Sequence, residues 1–260
     1  MRTLLLQDVN THVTSLGIDH PTVHTAGSPP RRRARRSSEL VRSLGSTERT
    51  RHALNVVVAA IGLVLTAPLM AIITALIKLT SHGPILYRQT RVGLDRRGLN
   101  GANGSNFRRR HDLGGHPFQI YKFRTMAPGQ AGGAEAQVWA APDDPRVTPV
   151  GRVLRQYRLD ELPQLWNVLR GDMNVVGPRP EQPRIFLDLR TQIEQYEARQ
   201  LVRPGITGWA QINHHYDRDL EDVRRKVAFD LEYITRVSVL EDLKIMALTV
   251  PVIVGRRGAW

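Results

Sequence analysis

The segment ALNVVVAAIGLVLTAPLMAIITALI, Ala53–Ile77, carries no charged residue over 25 positions. As a straight helix it would reach about 37 Å, enough to cross a hydrocarbon core of ~30 Å. Uncharged runs of this length are rare in soluble domains, so a buried core helix is the weaker reading. The segment lies too far from the N-terminus for an ordinary signal peptide, and no cleavage site follows it. Two details complicate a simple span. Pro68, near the middle, removes one backbone hydrogen bond and crowds the preceding turn. Both flanks are also basic: residues 31–51 hold eight Arg against two Glu, and residues 78–124 hold ten Lys plus Arg against two Asp. Cationic flanks prefer the cytoplasmic side. If both flanks obey, the segment enters and leaves by the same face. A helix–break–helix hairpin bent at Pro68 meets both facts; a tilted span with a proline kink meets only the first. Thr66 is the candidate to satisfy the carbonyl that Pro68 leaves free.

Charge bounds the partners. The chain of 260 residues has a formal net charge of +13, which points to an anionic partner. Charge alone ranks nucleic acid first; the apolar segment turns the choice toward anionic lipid or a phosphorylated substrate, with no nucleic acid. The chain has no cysteine, so disulfides, thiolate catalysis and cysteine-ligated metals are excluded.

The remainder divides into three parts. Residues 1–50 read as a basic, mostly disordered extension whose PPRRRARRSS patch is either attracted to anionic headgroups or a solvated tail with no specific role. Residues 51–80 form the membrane segment. Residues 81–260 form the globular domain, interrupted by a Gly/Asn/Arg-rich loop at 94–116, and are the part in which catalytic residues are to be sought. PILYRQTRVG reads as extended, and FQIYKFRTM as a strand carrying Lys122 and Arg124. DDPRVTPVGRVLRQYRLDELPQLWNVLRG predicts a turn and two short helices, stopped at Gly171. RIFLDLRTQIEQYEARQLV predicts a helix, RPGITGWAQIN a turn-rich loop, and DLEDVRRKVAFDLEYITR a second helix. The uncharged run Ile245–Gly255 is too short to span a bilayer; it packs in the core or lies at the interface.

The chemistry concentrates at Asp160 and Glu161. Pro163 is tolerated only in a helix's first turn, so the two carboxylates stand at a helix N-terminal end. Unpaired N–H groups and the helix dipole there keep carboxylates ionised and favour phosphate. An acidic residue at a helix start is most often a plain cap. The surroundings argue for more. Lys122, Arg124, Arg146, Arg155, Arg179 in GPRP and Arg203 in RPGITGW offer cations in rigid turns. Guanidinium forks match phosphate oxygens, and these side chains are the candidate diphosphate-binding set. No GxxxxGK[ST] or GxGxxG motif is present, nor HExxH.

Taken in order, the apolar segment with its proline, GPILYRQTRVG, FQIYKFRTM, DPRVTPVGRVLR, LDELPQLWNVLRGDMNVVGPRPE, RPGITGWAQIN and FDLEYI resemble the bacterial sugar transferases, the monotopic polyprenyl-phosphate phosphoglycosyl transferases. The resemblance runs from about residue 49 to the C-terminus, and DELPQLWNVLRGDM followed by VGPRP is its most specific part. It implies an α+β, mainly α catalytic domain with a few short strands and interfacial helices, on a re-entrant hairpin. It implies transfer of a sugar phosphate from a UDP-sugar to polyprenyl phosphate, with release of UMP, at the cytoplasmic face of the bacterial inner membrane. In this likeness Asp160 is the nucleophile, and Glu161 holds Mg²⁺ with Asp160 or handles the acceptor's proton. Two departures stand out. The loop 94–116 is longer than the family's usual link. Ala67 also stands where the family often has Ser before the hairpin proline, so any hydroxyl must come from Thr66. A basic membrane-tethered protein binding polyanions without chemistry is the main rival; it has no need of the acidic pair in its DELPQ…GPRP frame.

Overall fold

The computed structural model describes residues 31–95, 114–127, 144–214 and 219–255, with side chains of 31–46 and 254 outside that description. The first helix, α1 (Arg31–Thr80), covers 50 residues. The helix starts at Arg31, inside the extension that the sequence suggests is mostly disordered: no proline follows Pro30 until Pro68, and Arg, Leu and Glu favour helix. Residues 1–30 of the expected extension lie outside the described residues. Among the described residues, α1 is the one helix long and apolar enough to cross a membrane.

The helix is not interrupted at Pro68. A break in helical structure there is therefore absent. Thr66 also differs from expectation: its hydroxyl donates to the Gly62 carbonyl at 2.7 Å, not to the Val64 carbonyl that Pro68 deprives of a donor. Proline and a back-bonded threonine both bend helices while leaving them helical.

One stripe of α1 is buried along almost its whole apolar length. Arg51, Asn55 and Ala59 are fully buried, Gly62 abuts Leu165, and Ile73 and Ile77 are buried beyond the proline. These positions keep helical spacing across Pro68. The opposite face leaves Val64, Leu65 and Leu79 at 74%, 74% and 83% exposure. An apolar face this open in a helix this long is a surface made for lipid.

The domain beneath is mainly helical. Strand β1 (Leu86–Val92) pairs antiparallel with β2 (Pro117–Phe123), in a register that sets Leu86 opposite Phe123 and Val92 opposite Pro117. Between them, the long loop leaves through a closed neck. Gly93 N–H donates to the His116 carbonyl and His116 N–H to that of Leu94. A Cβ at Gly115 would stand 2.1 Å from the Gly93 oxygen, so only glycine passes there. The body of the loop lies outside the described residues.

Helix α2 (Pro149–Gln156) is capped by Thr148, whose hydroxyl accepts from Gly151 N–H at 2.9 Å. A 3-10 turn (Leu159–Glu161) and helix α3 (Gln164–Leu169) follow, and Gly171 ends α3 at φ +81° as its position suggested. A second sheet joins the stretch read as a turn-rich loop to one, after Gly171, that carried no reading. Strand β3 (Asn174–Val176) lies parallel to β4 (Gly205–Thr207). The backbones touch at Gly177 and Gly205, where a Cβ on Gly205 would meet the Gly177 nitrogen at 2.1 Å. The expected helix after Pro183 is split: α4 (Pro183–Gln192) stops, Gln195 turns left-handed at φ 60°, and a 3-10 turn (Tyr196–Leu201) resumes. Short α5 (Trp209–Asn213), α6 (Leu220–Thr235) and α7 (Val239–Val254) complete the domain. Phe186, Tyr196, Val227, Tyr233 and Ile245 form its main core.

A buried polar cluster joins α1 to that core. Asp242 accepts from Arg51 Nε at 3.0 Å, from Tyr233 Oη at 2.8 Å and from Asn55 Nδ2 at 3.1 Å. Arg51 also pairs with Glu48 at 2.6 Å, and Asn55 Oδ1 accepts from Val175 N–H at 2.7 Å.

Candidate active site

The carboxylate pair is presented by a single strained turn. Arg158 adopts left-handed φ 54°, which reverses the chain out of α2, and the turn Leu159–Glu161 follows at once. Neither carboxylate caps α3: Pro163 precedes it and no side-chain cap bond exists. The plain capping role is thereby removed, and both acidic groups are left for other work.

They sit in contrasting surroundings. Glu161 is buried, and one oxygen, Oε1, accepts from Lys122 Nζ at 2.7 Å and from Arg179 Nη2 at 2.9 Å. Burial opposes its charge, but Arg179 and Lys122 outweigh burial and hold Glu161 well below the usual carboxylate range. Asp160 is half-buried and accepts no side-chain hydrogen bond among the described residues. Burial, with Glu161's charge beside it, pushes Asp160 up to about 6 against the pull of Lys122, Arg179 and Arg155. The pair therefore comprises one clamped anion and one free carboxylate poised near neutrality. The sequence expectation that both simply stay ionised holds for Glu161 and is softened at Asp160.

Four elements converge on the pair. Lys122 projects from β2. Arg155, on the last turn of α2, donates from Nε to Thr125 Oγ1 at 3.0 Å, which fixes its direction. Asp144 holds Arg146 near Arg155, through a bond from Nε at 2.9 Å. Arg179 lies between Pro178 and Pro180, and its carbonyl accepts from the buried Arg199 at 3.0 Å. Arg199 is itself paired with Asp230 at 2.7 Å, and Glu181 with Lys226 at 2.8 Å. Two basic residues singled out by sequence lie elsewhere. Arg124 donates to the Ser81 carbonyl at 2.9 Å, to Ser81 Oγ at 2.7 Å and to the His82 carbonyl, pinning the end of α1. Arg203 donates to Glu48 at 2.9 Å and to the Gly171 carbonyl, and so joins the cluster around Arg51.

One further cation escaped sequence reasoning. Arg91 shares a face of the β1–β2 ribbon with Lys122, since Lys122 pairs with Tyr87, four residues from Arg91. Arg91 donates to the Pro180 carbonyl at 3.1 Å and to Gln89 at 2.6 Å. Burial, then the charge of Arg179, lowers its pKa, against the pull of Glu181 and Glu161. The period-two alternation of LYRQTRV was the available signal. Among the described residues, no group of three His, Asp or Glu side chains could hold a metal. The donor set here is two carboxylates, one already neutralised by two cations.

The description "Bacterial sugar transferase" matches residues 46–256. The chain belongs to the bacterial sugar transferase family. The match begins two residues before Glu48, the first buried position among the described side chains of α1. The chain is 41% identical over 208 residues to the UDP-N-acetylgalactosamine-undecaprenyl-phosphate N-acetylgalactosaminephosphotransferase of Aeromonas hydrophila. It is 42% identical over 198 residues to the UDP-glucose:undecaprenyl-phosphate glucose-1-phosphate transferase of Escherichia coli (strain K12). A Caulobacter vibrioides transferase of the same description is 44% identical over 200 residues. These matches cover 79%, 75% and 76% of this sugar transferase chain, but 44%, 38% and 67% of the respective relatives.

Proposed function

We propose that this chain transfers a sugar phosphate from a UDP-sugar to polyprenyl phosphate, releasing UMP, as a first membrane step in building a lipid-linked glycan. The observation that carries the proposal is the pairing of a free carboxylate, Asp160, with a neighbour clamped by Lys122 and Arg179. A carboxylate near pKa 6 is ionised at neutral pH yet more basic, and so more nucleophilic, than an ordinary aspartate. Asp160 attacks the sugar-bearing phosphorus; the bond from that phosphorus to the bridging oxygen breaks, and UMP leaves with the electron pair. An oxygen of the acceptor's phosphate then attacks the same phosphorus and frees Asp160, giving polyprenyl-diphosphate sugar.

The other residues serve charge. Phosphoryl transfer needs neutralisation more than proton traffic. Arg155 and Arg179 face the donor's diphosphate, with Lys122, Arg146 and Arg91 behind them. Glu161, held far below the usual range, is a poor proton acceptor; its work is to orient Lys122 and Arg179. Two carboxylates fit Mg²⁺ only in company with substrate phosphates, which is the coordination that ion accepts. Asp160, with Glu161 beside it, would hold Mg²⁺, which would supply further neutralisation of the diphosphate.

The membrane arrangement follows from α1. Its two halves, before and after Pro68, bear on one and the same domain. A helix passing straight to the far side of a bilayer would carry one half away from that domain. The same-face, re-entrant course therefore fits the contacts, with the bend at Pro68 made within a helix that stays hydrogen-bonded. Basic flanks on both sides favour the cytoplasmic face of the inner membrane.

The test uses detergent-purified protein, Mg²⁺, a panel of UDP-sugars and undecaprenyl phosphate, with UMP and UDP measured separately. UMP release with acceptor, and a stoichiometric burst of UMP without it, is the expected result. UDP release would mean ordinary glycosyl transfer. UMP release strictly dependent on acceptor would replace the covalent route by direct transfer in a ternary complex.

A further inference from the structure

Beside the acidic pair lies a cleft of about 150 Å³. Its first wall runs along one stretch of chain and changes character as it goes, from Arg158 and Glu161 to Leu162 and Leu165. Ile206 and Ile212 line a second wall, and Val252 and Ile253 of α7 a third. The polar groups in these walls are largely turned inward on the protein. Thr207 and Thr249 hydroxyls bond each other at 2.9 Å, and Thr249 donates to the Ile245 carbonyl at 2.7 Å. The Gln211 amide nitrogen donates to the Ile206 carbonyl at 2.8 Å; its oxygen is left without a partner among the described residues.

We propose that this cleft receives the first isoprenoid unit of the polyprenyl phosphate acceptor, with the acceptor's phosphate directed to the Arg158–Glu161 end. The assignment rests on the function proposed above and adds the acceptor's seat to it. A sugar or a nucleobase carries several donors and acceptors, which walls of this kind would leave unpaired; a hydrocarbon has none to lose. Apolar cavities of ~150 Å³ hold a benzene-sized molecule, so the space suits about one five-carbon unit. Two of its walls also adjoin the elements that carry exposed apolar faces. Leu165 packs on Gly62 of α1, where an added Cβ would lie 3.3 Å from Cδ1. The helix that carries Val252 leaves Leu248 and Val250 at 40% and 60% exposure. A molecule with a charged head and an apolar tail would thus find its two ends matched by the Arg158–Glu161 end of the cleft and by the apolar walls that adjoin α1 and α7.

Two experiments decide the matter. Val252→Trp fills the cleft without touching the acidic pair. It should raise KM for undecaprenyl phosphate at least about tenfold, the scale on which apolar pockets discriminate, and leave KM for the UDP-sugar within about twofold. Unchanged acceptor KM, or a rise for the donor alone, would overturn the assignment. Should that variant not fold, wild-type protein is labelled with a polyprenyl phosphate bearing a diazirine in its first isoprenoid unit. Adducts within residues 206–212 or 249–253 support the seat; adducts confined to α1 remove it. A wild-type chain that labels there but transfers nothing would retain the site and refute the reaction.

Discussion

The ionisation of Asp160 gives the sharpest quantitative expectation. Its pKa lies at about 6, raised first by burial and then by Glu161. If the ionised carboxylate is the nucleophile, donor cleavage follows its ionised fraction. That fraction is about 90% at pH 7 and about 10% at pH 5, so the rate should fall roughly tenfold for each pH unit on the acid side. Lys122 is the largest influence favouring the charge. An opposite charge at this range lowers a carboxyl by about 1–3 units, so Lys122→Met should carry the acid limb upward by about one unit or more. The variant's maximum rate will also drop, because Lys122 faces the phosphates; the position of the limb, not its height, is the readout. Rapid-quench measurement of the first turnover of UMP across the pH range provides it. The limb belongs to the coupled pair as a whole. A limb that stays in place when Lys122 is replaced would refute the assignment of Asp160 as the attacking group.

The same shift has a consequence for stability. Because the folded pKa of Asp160 lies above its unfolded value of 3.8, its contribution is present below 3.8 and is lost as pH rises through about 6. The loss amounts to ~3 kcal/mol at about 1.36 kcal/mol per tenfold. Asp160→Asn should abolish transfer yet raise the thermal midpoint at pH 8 by several degrees, with no gain at pH 3; a lower midpoint at pH 8 would contradict the burial account. Asp242→Asn leaves buried Arg51 with Glu48 as its remaining anionic partner among the described residues and weakens the bonds of Arg51, Tyr233 and Asn55 to one acceptor, which should destabilise by about 1–3 kcal/mol, read from unfolding in detergent. A wild-type midpoint there would show the cluster to be solvated. Arg155→Ala should raise KM for the UDP-sugar with the fold intact by circular dichroism, and wild-type kinetics would return Arg155 to an ordinary surface role.

Strong local signals survived the passage from sequence to structure. The uncharged run, the strand of Lys122, the glycine stop at 171 and the acidic pair's place before Pro163 were all legible, since each rests on neighbours in sequence. What was not legible depends on distant partners. The parallel pairing of β3 with β4 joins NVV to GIT across some thirty residues, and both pieces are too short for alternation to register. Arg124 and Arg203 looked like phosphate ligands because composition shows charge but not direction; Ser81, His82 and Glu48 claim them instead. Arg91 was passed over for the complementary reason, that only the ribbon's register turns it toward Glu161. Thr66 was credited with the carbonyl that Pro68 leaves free, that of Val64, whereas helical geometry delivers its hydroxyl to the Gly62 carbonyl four residues back.

The cluster around Arg51 also redraws what counts as the catalytic unit. By composition, everything before residue 81 is an anchor, separable in principle from a soluble remainder. Yet deleting it would strip Asp242 and Tyr233 of the guanidinium they surround, take from β3 the side-chain oxygen that binds two of its N–H groups, and bare the groove in which Ala59 lies. The leash is also a keystone: a version of this chain freed from lipid by truncation would lose part of its own interior, so solubility has to be sought by shielding α1 and not by cutting it away.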